Sequence, residues 1–171
     1  MKTRKRRSRY ELNPHVEVVV RRVLAEEMTK CAELAAPNEG SALLFGTITE
    51  RRLGPRQFAY AYVVEEVVCA NRARADPVSF VMDDEEVVAH WVDAARRGWV
   101  LVGVFHSHPA AAYPSGVDET FMVNMHELRS SNPAINVNFK YKVWVIQGHE
   151  ETNAFLYVNG KIQQVVLTVT P

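Results

Sequence analysis

A chain of 171 residues, 47% hydrophobic and 23% charged, has room for one well-buried core, and this composition excludes fibrous and disordered classes. The formal charge is zero from 20 basic and 20 acidic residues, yet six of the basic ones (Lys2, Arg4, Lys5, Arg6, Arg7 and Arg9) precede Tyr10, leaving 14 against 20 in the rest. No stretch approaches the ~20 apolar residues of a membrane span, and no apolar run follows the basic tail.

The expected organisation is therefore a basic tail over residues 1–12 and a single α/β domain over residues 13–171. A nucleic-acid role would rest on that tail alone. Only Tyr10 interrupts it with an aromatic ring, so a solvated tail is the simpler reading. Cys31 and Cys69 lack any CxxC partner, which suggests neither a disulfide framework nor a cysteine zinc site and points to a reducing, cytoplasmic setting.

Asn13-Pro14 reads as a helix cap followed by proline at the first helical position, and Val16, Val20, Val23, Leu24, Met28, Cys31 and Leu34 recur at helical spacing up to Pro37. Cys31 falls on that apolar stripe. Ser41 to Thr49 reads as a strand, Arg51 to Arg56 as a turn around Gly54-Pro55, and Phe58 to Cys69 as a second strand closing a hairpin. After a polar loop, Val78 to Met82 is a short extended segment. Asp83-Asp84-Glu85-Glu86 then starts a helix whose apolar face is Val87, Val88, Trp91, Ala94 and Ala95, ending at Gly98.

Trp99 to Phe105 is nearly continuously apolar, the mark of a strand covered on both faces, and it is the candidate central strand. His106-Ser107-His108-Pro109 emerges from its carboxyl end. Side chains alternate along a strand, so His106 and His108 share one face while Ser107 points to the other. Ser115 or Asp118 can start the next helix, with Phe121, Met122, Met125 and Leu128 as its apolar positions, before a break at Asn132-Pro133. Strands follow at Tyr141 to Ile146 and Thr152 to Val158, then a tight hairpin at Asn159-Gly160 and a last strand over Ile162 to Val169.

Two imidazoles on one face with a carboxylate ten positions later suit a three-ligand zinc site that keeps one position open for water. A lone HxH arises often by chance. Here it follows a buried strand, Pro114-Ser115-Gly116-Val117-Asp118 follows it, and Glu39 stands upstream, after Pro37 and before Leu43-Leu44-Phe45-Gly46. Together these residues resemble the JAMM, or MPN+, metallopeptidase family, whose pattern is an upstream glutamate, HxH and SxxD. The resemblance spans Asn13 to about Val158. Within the family the chain looks most similar to the deubiquitinating subunit of the proteasome lid and its archaeal homologues.

The resemblance implies the MPN/JAMM fold, a mixed, mainly antiparallel sheet flanked by helices in a cytidine-deaminase-like architecture. It implies one Zn²⁺ per chain held by His106, His108 and Asp118, with Glu39 as general base and acid and Ser115 donating to a developing oxyanion. The implied substrate is the isopeptide bond between the terminal glycine of ubiquitin, or a ubiquitin-like modifier, and a lysine. Partners would be such conjugates, with the proteasome or a second MPN-type subunit as further candidates. The segment from Asn71 to Ser79 corresponds to the family's first insertion, which places Asn71, Val78 and Phe80 beside the modifier tail, docked by strand addition.

Two departures stand out. Nine residues separate His108 from Asp118 where the family usually has ten, so a shift of Asp118 would remove the third ligand. Ala42 stands where the family often has glycine. Among rival functions, a zinc deaminase would need paired cysteines that Cys31 and Cys69 cannot supply. A metal-free scaffold of the same fold would have no need of Glu39, His106, His108, Ser115 and Asp118 together.

Overall fold

The computed structural model describes residues 9–70, 74–75, 80–81, 84–126 and 141–171. Its elements run β1 (Leu12–Arg21), α1 (Arg22–Ala35), β2 (Ser41–Gly54), β3 (Gln57–Cys69), β4 (Arg74–Ala75), β5 (Phe80–Val81), α2 (Asp84–Arg96), β6 (Val100–Ser107), α3 (Gly116–His126), β7 (Val143–Gln147), β8 (Thr152–Val158) and β9 (Lys161–Thr170). Seven strands close into a barrel in the order β1-β3-β2-β6-β7-β8-β9, with β9 returning to pair in parallel with β1. The pairing is mixed: β1–β3 and β6–β7 are also parallel, the rest antiparallel. Among the described residues an added strand therefore finds no continuous edge along the barrel, and β4 and β5 form a separate two-stranded sheet.

The first helix begins eight residues later than its sequence pattern suggests. Val16, Val18 and Val20 are all buried while their neighbours are more exposed, so the governing period is two, and β-branched valines suit the pleated surface. Pro14 fits because the ladder to β9 shifts register between Asn13 and Glu17, where a missing N–H costs nothing. Only Leu24, Met28 and Cys31 of the expected stripe face the core from α1; Val23 and Leu34 are exposed.

The hairpin and the central strand form, but β2 continues through Arg51 to Gly54, expected as turn, and leaves Pro55-Arg56 between the two strands. β2 and β3 pair from Ala42↔Cys69 to Gly54↔Gln57, and β6 lies between β2 and β7, buried from Leu101 to His106. The same two-sided covering explains the unbroken burial of Ser41 to Gly46. Ala42, Leu44 and Phe105 pack with Leu24 and Met28 of α1. Leu43, Phe45 and Val104 pack on the other side with Ala94 of α2 and Met122 and Met125 of α3. The layers exchange where the β2–β6 ladder shifts register, Leu101 packing with α2 and α3 and Val102 with α1; past that point strand alternation puts His106 with Val104 on the α2–α3 side and Ser107 with Phe105 on the α1 side.

The cysteines depart from expectation. Cys31 is buried in the core as its position suggests, but it is joined to Cys69 in a disulfide that ties α1 to the end of β3. Two isolated cysteines carry no spacing signal when their partner is set by tertiary folding. No helix among the described residues is long and apolar enough to cross a membrane. Leu128 and Asn132-Pro133 lie outside the described residues.

Candidate metal centre

Three elements converge at the carboxyl end of β6. The strand itself delivers His106, fully buried, and His108 just beyond its last residue. Their Nε2 atoms lie 3.0 Å apart, as expected for residues i and i+2 of one strand face. The first ladder pair of β2 with β6 is Ser41↔His106, which brings the preceding Glu39 alongside; its Oε1 lies 3.9 Å from His108 Nε2. Glu39 is 3% exposed, rare for a glutamate without a role for its charge.

The third element is the start of α3. The Ser115 backbone N–H donates to Asp118 Oδ2 at 2.8 Å, and the Asp118 backbone N–H donates to Ser115 Oγ at 3.1 Å. This reciprocal pair is a capping box with aspartate in the reaching position, satisfying helix-terminal donors. It also aims Asp118 back at the histidines. Asp118 Oδ2 lies 2.9 Å from His108 Nε2 and 3.2 Å from His106 Nε2, so the loop that is one residue short does not carry the carboxylate away.

Glu39, His106 and His108 each offer a donor atom within 4.8 Å of the others, a group able to hold a metal ion. The two Nε2 atoms and Asp118 Oδ2 form a tighter triangle, with sides of 3.0, 3.2 and 2.9 Å. Bonds of 2.0–2.1 Å to a tetrahedral Zn²⁺ would put such donors about 3.3 Å apart, so nitrogen and oxygen donors of the right type already stand near the required separation. His108 Nδ1 lies 3.1 Å from the Ala111 carbonyl. A carbonyl only accepts, so Nδ1 carries the hydrogen and the neutral ring turns the Nε2 lone pair inward, as a metal ligand requires.

Protonation preferences follow from the same contacts. Burial lowers the pKa of His106, against the opposing effect of Asp118. Burial acts the same way on His108, but hydrogen bonding and charge attraction from Asp118, with help from Glu39, outweigh it and raise its pKa. Burial disfavours the Asp118 carboxylate, yet in the absence of a metal the hydrogen bonds that the two imidazoles donate to it when protonated hold it well below the usual carboxylate range.

Of the other predicted site residues, Asn71 and Val78 lie outside the described residues; Phe80 belongs to β5, whose strand partner is β4. Several supporting contacts have no sequence signal. The Ala111 carbonyl is one, and the loop carrying it is held by Asn153 Nδ2 donating to the Ala112 carbonyl at 3.1 Å. Gly148 is another: a Cβ there would lie 2.6 Å from Ala112 N and 2.7 Å from the Ala110 carbonyl oxygen, so the turn after β7 passes flush against the same loop.

Residues 21–158 match the family model described as prokaryotic homologues of the JAB domain (Prok-JAB). The chain belongs to that family. JAB, or MPN, domains include metal-dependent isopeptidases as well as members without catalysis. Among solved structures, the chain is similar to the solution structure of protein DSY2949 from Desulfitobacterium hafniense, at 26% identity and a TM-score of 0.65 over 90% of this chain and 92% of that one. It also matches AF2198, a JAB1/MPN domain protein from Archaeoglobus fulgidus, at 19% identity and a TM-score of 0.49 over 91% and 99%. No curated protein matches. For this JAB domain the α/β fold, with its mixed sheet and the three helices among the described residues, agrees with the family, the closed sheet being the feature not expected from sequence.

Proposed function

We propose that this JAB domain is a zinc-dependent isopeptidase acting on the bond between the terminal glycine of ubiquitin, or a ubiquitin-like modifier, and a lysine amine. The observation that carries this reading is the convergence of His106 Nε2, His108 Nε2 and Asp118 Oδ2 within 3.2 Å, with the buried Glu39 carboxylate 3.9 Å from His108. Asp118 is the third ligand and Glu39 is not, because the aspartate oxygen stands 2.9 Å from His108 Nε2 against 3.9 Å for the glutamate. A bound Zn²⁺ would supply Lewis acidity and lower the pKa of a bound water to about 7.

The chain's own residues do the remaining work. Glu39, close to the ligands but outside them, takes a proton from water and delivers it to the departing amine. Ser115 Oγ already accepts from the Asp118 N–H, so its hydroxyl proton can be directed at the oxyanion that develops on the scissile carbonyl. Asn71, Val78 and Phe80 are proposed to flank the modifier tail. With the barrel closed, β4–β5 is the proposed site of strand addition. Modifier conjugates are the proposed partners, with the proteasome or a second MPN-type subunit as further ones; the Cys31–Cys69 disulfide removes the cysteine argument for a reducing, cytoplasmic setting.

Lysine-linked ubiquitin dimers and ubiquitin-like-modifier conjugates, incubated with zinc-loaded wild type and with Glu39→Gln, test the proposal. Cleavage by wild type alone is expected. No cleavage of any conjugate by wild type would favour a modifier-binding scaffold, and equal cleavage by the variant would remove Glu39 as the proton carrier.

A further inference from the structure

The connection from α1 to β2 enters the site as a narrow strand of backbone, and its conformation decides where Glu39 points. Asn38 N–H donates to the Ala35 carbonyl at 2.9 Å, closing the end of α1. Gly40 then passes flush against that helix: a Cβ at this position would lie 2.6 Å from the Cys31 carbonyl oxygen and 2.8 Å from Ala32 Cα. The space excludes any side chain, so residue 40 cannot anchor itself by packing.

Two bonds from one residue anchor it instead. The Ser107 backbone N–H donates to the Gly40 carbonyl at 3.0 Å, and the Gly40 N–H donates to Ser107 Oγ at 2.8 Å. The first is an ordinary extension of the β2–β6 pairing. The second acts on a different peptide plane, the one joining Glu39 to Gly40. A peptide is planar and includes Glu39 Cα, so holding that N–H restrains the plane from which the Glu39 side chain departs.

We propose that Ser107 is a positioning residue for Glu39, its hydroxyl holding the Glu39–Gly40 peptide so that the carboxylate faces His108. The inference rests on the proposed role of Glu39. It explains the residue between the two histidines: past the β2–β6 register shift, Phe105 packs in the α1 layer and Val104 in the α2–α3 layer, so strand alternation turns Ser107, the residue between the ligands, away from the metal centre and toward the connection that carries the base. The strand that delivers His106 and His108 thereby also sets the base, and relative placement of ligands and base becomes a property of one rigid element.

Ser107→Ala removes the acceptor, Ser107→Thr keeps it, and Ser107→Cys keeps the volume with a weak acceptor should the alanine variant fail to fold. Turnover of a lysine-linked ubiquitin dimer, zinc content, and hydrogen exchange of the Gly40 amide are measured on each variant and on Glu39→Gln. Ser107→Ala, or Ser107→Cys in its place, is expected to keep its zinc and its KM and to lose kcat on the order of ten- to a hundredfold, the scale of a misplaced reacting group. Its Gly40 amide should exchange faster, with threonine restoring both. Unchanged Gly40 exchange, or a loss explained by zinc content or KM alone, would overturn the proposal. Failure of the underlying reading looks different: Glu39→Gln would then turn over like wild type, removing the base that Ser107 is said to position, whatever the Gly40 amide does.

Discussion

Reducing the Cys31–Cys69 bond should destabilise the fold without altering any side chain. The bond spans 38 residues of sequence, and closing a loop of that size in the unfolded chain corresponds to about 4 kcal/mol in the chain-entropy treatment. For a domain of this length that is about 8–16 °C in melting temperature. The effect should also reach the metal centre, because Cys31 presents its carbonyl to Gly40 and the residue after Cys69, Ala70, donates to the Ser41 carbonyl at 2.9 Å. Urea unfolding with and without a dithiol reductant, alongside thiol titration of the folded protein, measures both. A folded protein with two titratable thiols and a stability indifferent to reductant would refute the reasoning.

Gly148→Ala should weaken zinc binding by about ten- to a hundredfold, the usual scale for disturbing a ligand's supporting contacts, because the new Cβ displaces the loop whose Ala111 carbonyl orients His108; chelator competition measures it, and an unchanged affinity would count against that support. Zinc affinity should also depend on pH with a definite sign. Asp118 raises the His108 pKa against the effect of burial, whereas burial keeps His106 neutral, so protons compete for His108 and affinity falls as pH drops through its raised pKa, by about tenfold per unit below it. Titrations from about pH 8 to about pH 5.5 span the imidazole range; a flat profile would contradict the assignment of His108 as a ligand.

The legible parts of the fold were those whose signal is local. The β2–β3 hairpin announces itself through a Gly54-Pro55 turn between apolar runs, and β6 through an apolar run too continuous for a half-exposed strand. β1 reads as helix because Val16 and Val20, four apart, fit a helical period that Val23 and Leu24 continue into α1 as well as a period of two, and the burial of Val18 separates the readings. Closure of the barrel depends on β1 meeting β9 from the opposite end of the chain, and the disulfide on α1 meeting β3. Neither leaves a trace in local spacing.

The candidate site divides in the same way. HxH after a buried strand and SxxD at a helix start each encode their own geometry, one through strand parity and the other through a capping box. Glu39 could be found only through a resemblance, since nothing local distinguishes it from a connector residue. The parts that orient these groups, the Ala111 carbonyl and the Gly148 contact, act through backbone atoms, which any sequence possesses. Strand parity places Ser107 on the opposite face, but what it grips there is a peptide 67 residues away.

The central claim is a division of labour in which His106, His108 and Asp118 hold the metal while Glu39 stands beside it. Elemental analysis of zinc-equilibrated, gel-filtered wild type, Asp118→Asn and Glu39→Gln tests it most directly. One zinc per chain is expected in wild type and in Glu39→Gln, and a loss of zinc in Asp118→Asn. Zinc retained by Asp118→Asn but lost from Glu39→Gln would contradict it and make Glu39 the third ligand.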